Sequence, residues 1–291
     1  MRVGGARALG LQASRRGLRI AAVQLNVTPD PLDNLKRAAQ GISIAASEGA
    51  SIIALPECFV GSYGVQHFEK WAEKLGEFGG SAMMSAAAKD SGVTVVGGVI
   101  EVDEEAKCMY NTVVAYGPDG AIASKYRKVH LSRVLGITSE SDVLAPGDEP
   151  VAFECESLSV GLACCYDLRF PKLLNAYGPA KSATHGPIDL LIAPSAFLAT
   201  TGKDHWDLLV RRAALDGQCF VLAPNQAFNP NDPVPLYGGS LVAGPWGDVL
   251  SVCVDRADGI AMAEISHERI EEVRSKLPIV EAARWPPPAS E

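Results

Sequence analysis

Four segments of this 291-residue chain recur in the same order in its second half, and this repeat constrains the fold more than any other feature. Leu18-Arg19-Ile20-Ala21 matches Leu158-Ser159-Val160-Gly161 at an offset of 140 residues. Ile52 to Phe59 (IIALPECF) matches Leu190 to Phe197 (LLIAPSAF) at an offset of 138. Gly92 to Val96 pairs with Gly217 to Val221, and Tyr110 to Ser124 with Tyr237 to Ser251, the last sharing a Gly-Pro-x-Gly turn. Two halves with one strand order are therefore expected. The apolar runs are short and bounded by turn residues, with helical periodicity between them, so each half reads as a sheet with helices against it. Both faces of such a sheet must be covered. Packing two mixed sheets face to face with helices outside satisfies that need. The expectation is an α/β fold, a four-layer α-β-β-α sandwich with an internal pseudo-two-fold.

The expected elements follow the same logic. Leu18–Leu25 reads as a core strand, and a helix from about Pro31 carries Leu35, Ala38, Ile42 and Ala45 on one face, with Gly49 just beyond it. Residues 51–55 and 93–100 read as strands, and residues 112–126 as a hairpin around Gly117-Pro118-Asp119-Gly120. Short helices are expected near Phe68–Leu75 and Ser81–Lys89. The last helix, Ser266–Lys276, places Ile270, Val273 and Leu277 on one stripe. One domain is expected over residues 18–285, with a flexible or targeting leader at 1–17 and an irregular tail at 286–291. The leader holds four arginines and no acid, a composition shared by disordered tails and organelle transit peptides.

Composition narrows the function. The net charge of −8 and the lack of a basic stripe argue against nucleic acid as a partner. No run approaches the ~20 apolar residues of a membrane span. Seven cysteines without C-x-x-C spacing imply reduced thiols and an intracellular setting. A cytoplasmic location is expected, or a mitochondrial or plastid one if the leader acts as a targeting signal. The five histidines lie too far apart in sequence for a metal-ligand pair, so a zinc hydrolase is not expected.

Three polar residues stand at expected strand ends. Cys165 ends the run Leu158 to Cys165 and is followed by Tyr166-Asp167-Leu168-Arg169-Phe170-Pro171, so a strand breaks sharply toward a helix beginning near Pro171. That geometry lifts a side chain to the sheet rim and frees the next N–H. Glu57 follows an apolar strand and a proline, where an unpaired carboxylate is costly, though a surface-loop acid would also fit. Lys128 sits in a basic cluster (KYRKVHL), and such clusters are commonly solvated faces, so its position alone leaves its role open.

The segments LPECFVGSYG, KYRKVHL and CCYDLRFP, in that order, resemble the Glu, Lys and Cys signatures of the nitrilase (carbon–nitrogen hydrolase) superfamily, and most nearly its omega-amidase branch. The resemblance extends from about Leu18 to Ile279. It implies Glu57 as general base, Lys128 as the cation that stabilises the transition state, and Cys165 as nucleophile. Cys165 matches, rather than Cys164, because it directly precedes Tyr-Asp; Cys164 is expected to point the other way into the core. Glu140 matches a further acid that supports Lys128 or the substrate. Tyr166 is expected to offer its N–H to an oxyanion, Tyr63 matches a pocket tyrosine, and Arg169 is a candidate for the substrate carboxylate or a partner for a nearby acid.

The implied reaction is hydrolysis of the terminal amide of a small carboxylated amide such as 2-oxoglutaramate or 2-oxosuccinamate, through a Cys thioester, with no metal and no organic cofactor expected. Alternatives are a deaminated glutathione amidase, an N-carbamoyl amide hydrolase and an inactive binding relative. A homodimer or larger homo-oligomer is expected. The chain departs from the family pattern at three places. Ser132-Arg133 follow His130-Leu131 where an aromatic or Cys and then Asp are usual. Ala213 stands in place of a second Arg, and Gly239 in place of a His.

Overall fold

The computed structural model describes residues 17–133, 139–179, 183–228, 234–255 and 257–282. Most of the leader at 1–17, the end of the 18–285 domain and the 286–291 tail lie outside these residues. The first half runs β1 (Leu18–Gln24), α1 (Pro31–Ser47), β2 (Ile52–Ala54), α2 (Val65–Trp71), α3 (Gly79–Ser91), β3 (Thr94–Asp103), β4 (Cys108–Tyr116) and β5 (Ile122–Arg127). The second runs β6 (Val151–Cys155), β7 (Leu158–Leu162), α4 (Pro171–Leu174), β8 (Leu190–Ile192), α5 (Ala199–Gly217), β9 (Phe220–Ala223), β10 (Leu241–Ala243) and β11 (Val249–Val252). β12 (Gly259–Ile265) and α6 (His267–Lys276) follow.

These strands form two mixed six-stranded sheets, ordered β12-β1-β2-β3-β4-β5 and β6-β7-β8-β9-β10-β11. In each sheet the strand opening a repeat pairs antiparallel with an edge strand and parallel with the next strand, which in turn pairs parallel with a third, and a meander completes the sheet. The repeat read from sequence is therefore a repeat of topology. Strand periodicity does not reveal β6 and β12. Both are edge strands in which most residues are only partly buried.

The pleat explains the layers. Side chains alternate between faces along a strand. Ile20 and Ala22 of β1, with Ile52 and Ala54 of β2, face the second sheet and join Val160, Leu162 and Ile192 in one core. Ala21, Val23, Ile53 and Leu55 face outward, packing with Ala38, Ile42 and Ala45 of α1 and with Met84 and Ala88 of α3. Asp30 caps α1 by accepting from the Leu32 and Asp33 N–H groups at 3.0 and 3.2 Å, and Pro31 opens the helix. On the other side α5 buries Trp206, Val210, Ala213 and Ala214, and α6 buries Ile270 and Val273. Leu277 leaves the expected stripe: it follows the end of α6 and is half exposed. The expected helix at Phe68–Leu75 starts earlier, at Val65, and ends at Trp71. No helix among the described residues is long and apolar enough to cross a membrane.

Candidate active site

β2 stops at Ala54, and the chain turns through Pro56-Glu57-Cys58 with Cys58 in the left-handed region at φ 51°. The turn presses against β3, where a Cβ on Gly98 would lie 2.8 Å from the Glu57 Cα. Gln226 clasps the turn from the second half, its Nε2 donating to the Glu57 and Cys58 carbonyls at 2.8 and 3.1 Å. Glu57 is thereby fixed and fully buried between the sheets.

Lys128 extends β5 by one ladder bond, its N–H donating to the Asn111 carbonyl at 2.8 Å. Two-residue alternation puts it on the inner face with buried Tyr126. Its Nζ donates to Glu57 Oε1 at 2.8 Å and lies 2.9 Å from Glu140 Oε2 and 3.1 Å from Glu140 Oε1. Burial pulls the Lys128 ammonium down, but the charges of Glu140 and Glu57 outweigh it and hold its pKa well above the ordinary value. For Glu140 the balance runs the other way: burial raises its carboxyl, while Lys128 and the Ser132 N–H lower it below the usual range. The solvated-face reading of Lys128 is excluded by this burial.

Cys165 follows β7 at the predicted break and opens a 3-10 turn, Cys165–Arg169. Its φ of 45° lies in the left-handed region, a strained conformation for a side chain with a Cβ and a frequent signature of functional sites. Asp167 secures this elbow. Its carboxylate accepts from the Cys164 N–H at 3.0 Å, the Tyr126 hydroxyl at 2.7 Å and the His130 N–H at 3.0 Å, and lies 2.8 Å from His130 Nδ1. His130, whose place beside Lys128 left its role open, thus contacts the elbow's anchor and stacks on Phe170 at 3.6 Å.

Cys165 borders a cavity of about 670 Å³, also lined by Tyr63, Glu140, Tyr166, Phe197 and Arg169. Burial first, and then the Glu57 charge, pushes the Cys165 thiol well above its ordinary pKa, against the opposing pull of Lys128 and the Ala196 N–H. The resting group is therefore a thiol, and a base must take its proton for it to attack.

Cys164 is buried outside the cavity lining, as expected, but it does not point away from the site. Its Sγ lies 3.3 Å from Glu57 Oε1 and 3.6 Å from Asn111 Oδ1. Adjacent residues at a strand end need not alternate once the strand has broken, and Cys164 already caps the 3-10 turn. Asn111 on β4, which no motif singles out, donates from Nδ2 to Glu57 Oε1 at 2.7 Å. Three donors thus converge on Glu57 Oε1, while buried Oε2 has no hydrogen-bond partner among the described residues.

Tyr63 lines the cavity, but its hydroxyl is engaged, donating to Glu140 Oε1 at 3.1 Å. Arg169 has no carboxylate partner among the described residues. It lies 3.1 Å from His205 Nδ1 and over the rings of Phe197 and Tyr166. Of the family departures, Ala213 is buried in α5, and Gly239 sits at φ 69° with its carbonyl accepting from Trp206 Nε1 at 2.7 Å. Neither lines the cavity. No group of three or more His, Cys, Asp or Glu side chains among the described residues is placed to hold a metal ion.

Comparison with known proteins identifies the family. The carbon–nitrogen hydrolase family model matches residues 19–275. Omega-amidase NIT2 of Homo sapiens is 37% identical over 271 residues, covering 91% of this chain and 95% of that protein. The Mus musculus omega-amidase NIT2 is 38% identical with the same coverage. Among solved structures, Saccharomyces cerevisiae Nit3, a member of branch 10 of the nitrilase superfamily, superposes with a TM-score of 0.79 at 32% identity, covering 91% of this chain and 95% of that one. The chain belongs to the carbon–nitrogen hydrolase family and is a hydrolase acting on carbon–nitrogen bonds.

Proposed function

We propose that the chain hydrolyses the terminal amide of a small carboxylated amide, of the 2-oxoglutaramate or 2-oxosuccinamate type, to the acid and ammonia. The observation that carries this reading is the division of labour on Glu57: Oε1 is saturated by Lys128, Asn111 and Cys164, leaving Oε2 as the base. The omega-amidase activity named for relatives of near-full coverage supports the choice of substrate.

The reaction runs in two halves. Glu57 Oε2 takes the Cys165 proton as Sγ bonds to the amide carbon, and the carbonyl electrons move onto oxygen. Lys128 has three N–H donors and two carboxylate partners, so one donor is free to turn toward that oxyanion. The Tyr166 N–H is the second donor, since the first N–H groups of a helical turn have no intrahelical acceptor. Each well-placed donor contributes roughly 3–4 kcal/mol. The carbon–nitrogen bond then breaks, and Glu57 returns the proton to the departing ammonia. Water attacks the thioester in the second half, with Glu57 taking its proton and passing it to the released thiolate. Glu140 keeps Lys128 charged and in place, and Tyr63 and Ser132 hold Glu140. Arg169 faces the same cavity and is the cation for the substrate carboxylate.

Measuring ammonia and carbon dioxide from a panel of amides and carbamoyl compounds tests the proposal. The expected result is ammonia without carbon dioxide, and a kcat/KM on 2-oxoglutaramate about tenfold or more above that on a neutral aliphatic amide. Equal rates on neutral and anionic amides would overturn the substrate reading. Carbon dioxide release would identify a carbamoyl hydrolase instead.

A further inference from the structure

The acids and bases on the floor of the cavity are matched to one another, but two cations on its wall are not. Glu140 is the carboxylate lining the cavity, and Lys128 and Tyr63 hold it. Arg133 and Arg169 both line the cavity, and neither has an acidic partner among the described residues. In a chain of net charge −8 this is a local inversion of sign. Such an inversion favours anions at this site whatever the global field.

Arg133 is tied to the site by its neighbour. The Ser132 N–H donates to Glu140 Oε2 at 2.5 Å, and the Ser132 hydroxyl lies 3.4 Å from that of Tyr63. The backbone that carries Arg133 is thus fixed one residue from the floor of the site, while Arg133 itself is exposed. A fixed base and a solvated head suit a group that captures an anion and pays little desolvation when empty. The cavity, at about 670 Å³, is also larger than a five-carbon amide fills.

Building on the amidase reading above, we infer that Arg133 is a specificity residue for a second anionic group, so that the preferred substrates are primary amides whose acyl part carries two carboxylates. Arg169 takes one carboxylate and Arg133 the other. The second contact is partly exposed, so it acts through substrate binding and weakens with salt.

The test uses primary amides of equal chain length carrying no, one or two carboxylates, with the wild-type enzyme and with Arg133→Gln, Arg133→Lys and Arg133→Asp. Wild-type kcat/KM is expected to rise about tenfold with the second carboxylate, mostly through KM. Arg133→Gln should cancel that preference, Arg133→Asp should reverse it, and Arg133→Lys should restore part of it. Raising the salt should erode the preference in the wild type and leave the Gln variant's ratio flat. Hydrolysis of the singly carboxylated amide with no gain from a second carboxylate, or a gain that Arg133→Gln does not change, would overturn the inference and leave the amidase reading standing. No ammonia from any amide would overturn both.

Discussion

The two halves of the molecule share a strand order and a pairing pattern, yet only one set of strand ends is built for chemistry. Leu55-Pro56-Glu57 follows β2, and Ala193-Pro194-Ser195 follows β8, in the same backbone setting: the Leu55 N–H donates to Val96 O at 2.7 Å and the Ala193 N–H to Leu222 O at 2.9 Å. The first turn delivers a buried carboxylate against Lys128. The second delivers Ser195, whose hydroxyl donates to the Ala193 carbonyl at 3.0 Å. Likewise the repeat places Leu25, a core residue, where the second half has Cys165. Around Ser195 the polar side chains are neutral and spent on backbone: Asn225 donates from Nδ2 to Gly238 O at 2.7 Å and accepts at Oδ1 from the Phe197 N–H at 3.0 Å. The sandwich supplies two pseudo-equivalent sets of positions, and residue choice makes one reactive. Fold alone does not carry function.

Substitutions at paired positions break or sharpen that contrast. The largest effect is expected for Cys165→Ala, which should abolish turnover, whereas Ser195→Ala should remain active and lose only about 1 kcal/mol of stability with its single hydrogen bond. Steady-state rates and urea midpoints check both. Comparable losses of activity in the two variants would end the asymmetry.

Glu57→Gln and Lys128→Ala come next. A missing base costs about 10²–10⁴ in rate, and a missing oxyanion donor about 10²–10³. The double variant should fall far short of the product of these losses, because the two groups act as one unit. Circular dichroism separates this from unfolding, which matters for Lys128→Ala because it strands two buried carboxylates.

Smaller effects belong to the supports. Cys164→Ala removes the weakest of the three donors on Glu57 Oε1, and Tyr63→Phe removes one of the donors on Glu140 Oε1 while Lys128 and Asn111 remain. Each should lower kcat about three- to tenfold. A change in KM alone for Tyr63→Phe would show its hydroxyl binding substrate instead of holding Glu140.

How far the sequence reveals the site follows from these contacts. Glu57 and Cys165 are legible because each ends an apolar run, Lys128 only through its KYRKVHL signature, and the fold is legible because the runs repeat. Asn111 and Asp167 are not. Asn111 sits inside a strand, and what matters is its partner on another strand. Asp167 looks like an ordinary turn acid until Tyr126 and His130 are brought to it. The Cys164 contact is hidden for a related reason, since alternation stops at the strand end. Edge strands β6 and β12 escape because half-exposed segments lack a strong period.

The smallest expected effect concerns stability away from the site. Burial alone would raise the Glu101 carboxyl on β3, but hydrogen bonds from Arg127 and Lys125 hold it below the ordinary range. A folded-state pKa below the unfolded one contributes stability that is fully present above the unfolded value of ~4.3 and lost as pH falls through the folded value. The urea midpoint should therefore drop on acidification below about pH 4, and less steeply in Glu101→Gln. Equal slopes in the two proteins would remove Glu101 from the acid response.

The most direct test of the central claim, that the reactive strand end is Cys165, is mass spectrometry of the enzyme acid-quenched during turnover of 2-oxoglutaramate. An acyl adduct, the mass of the substrate less ammonia, is expected on Cys165 and should be lost on mild base treatment. An adduct on Cys164 or Cys58, or turnover by Cys165→Ala with no adduct at all, would contradict it.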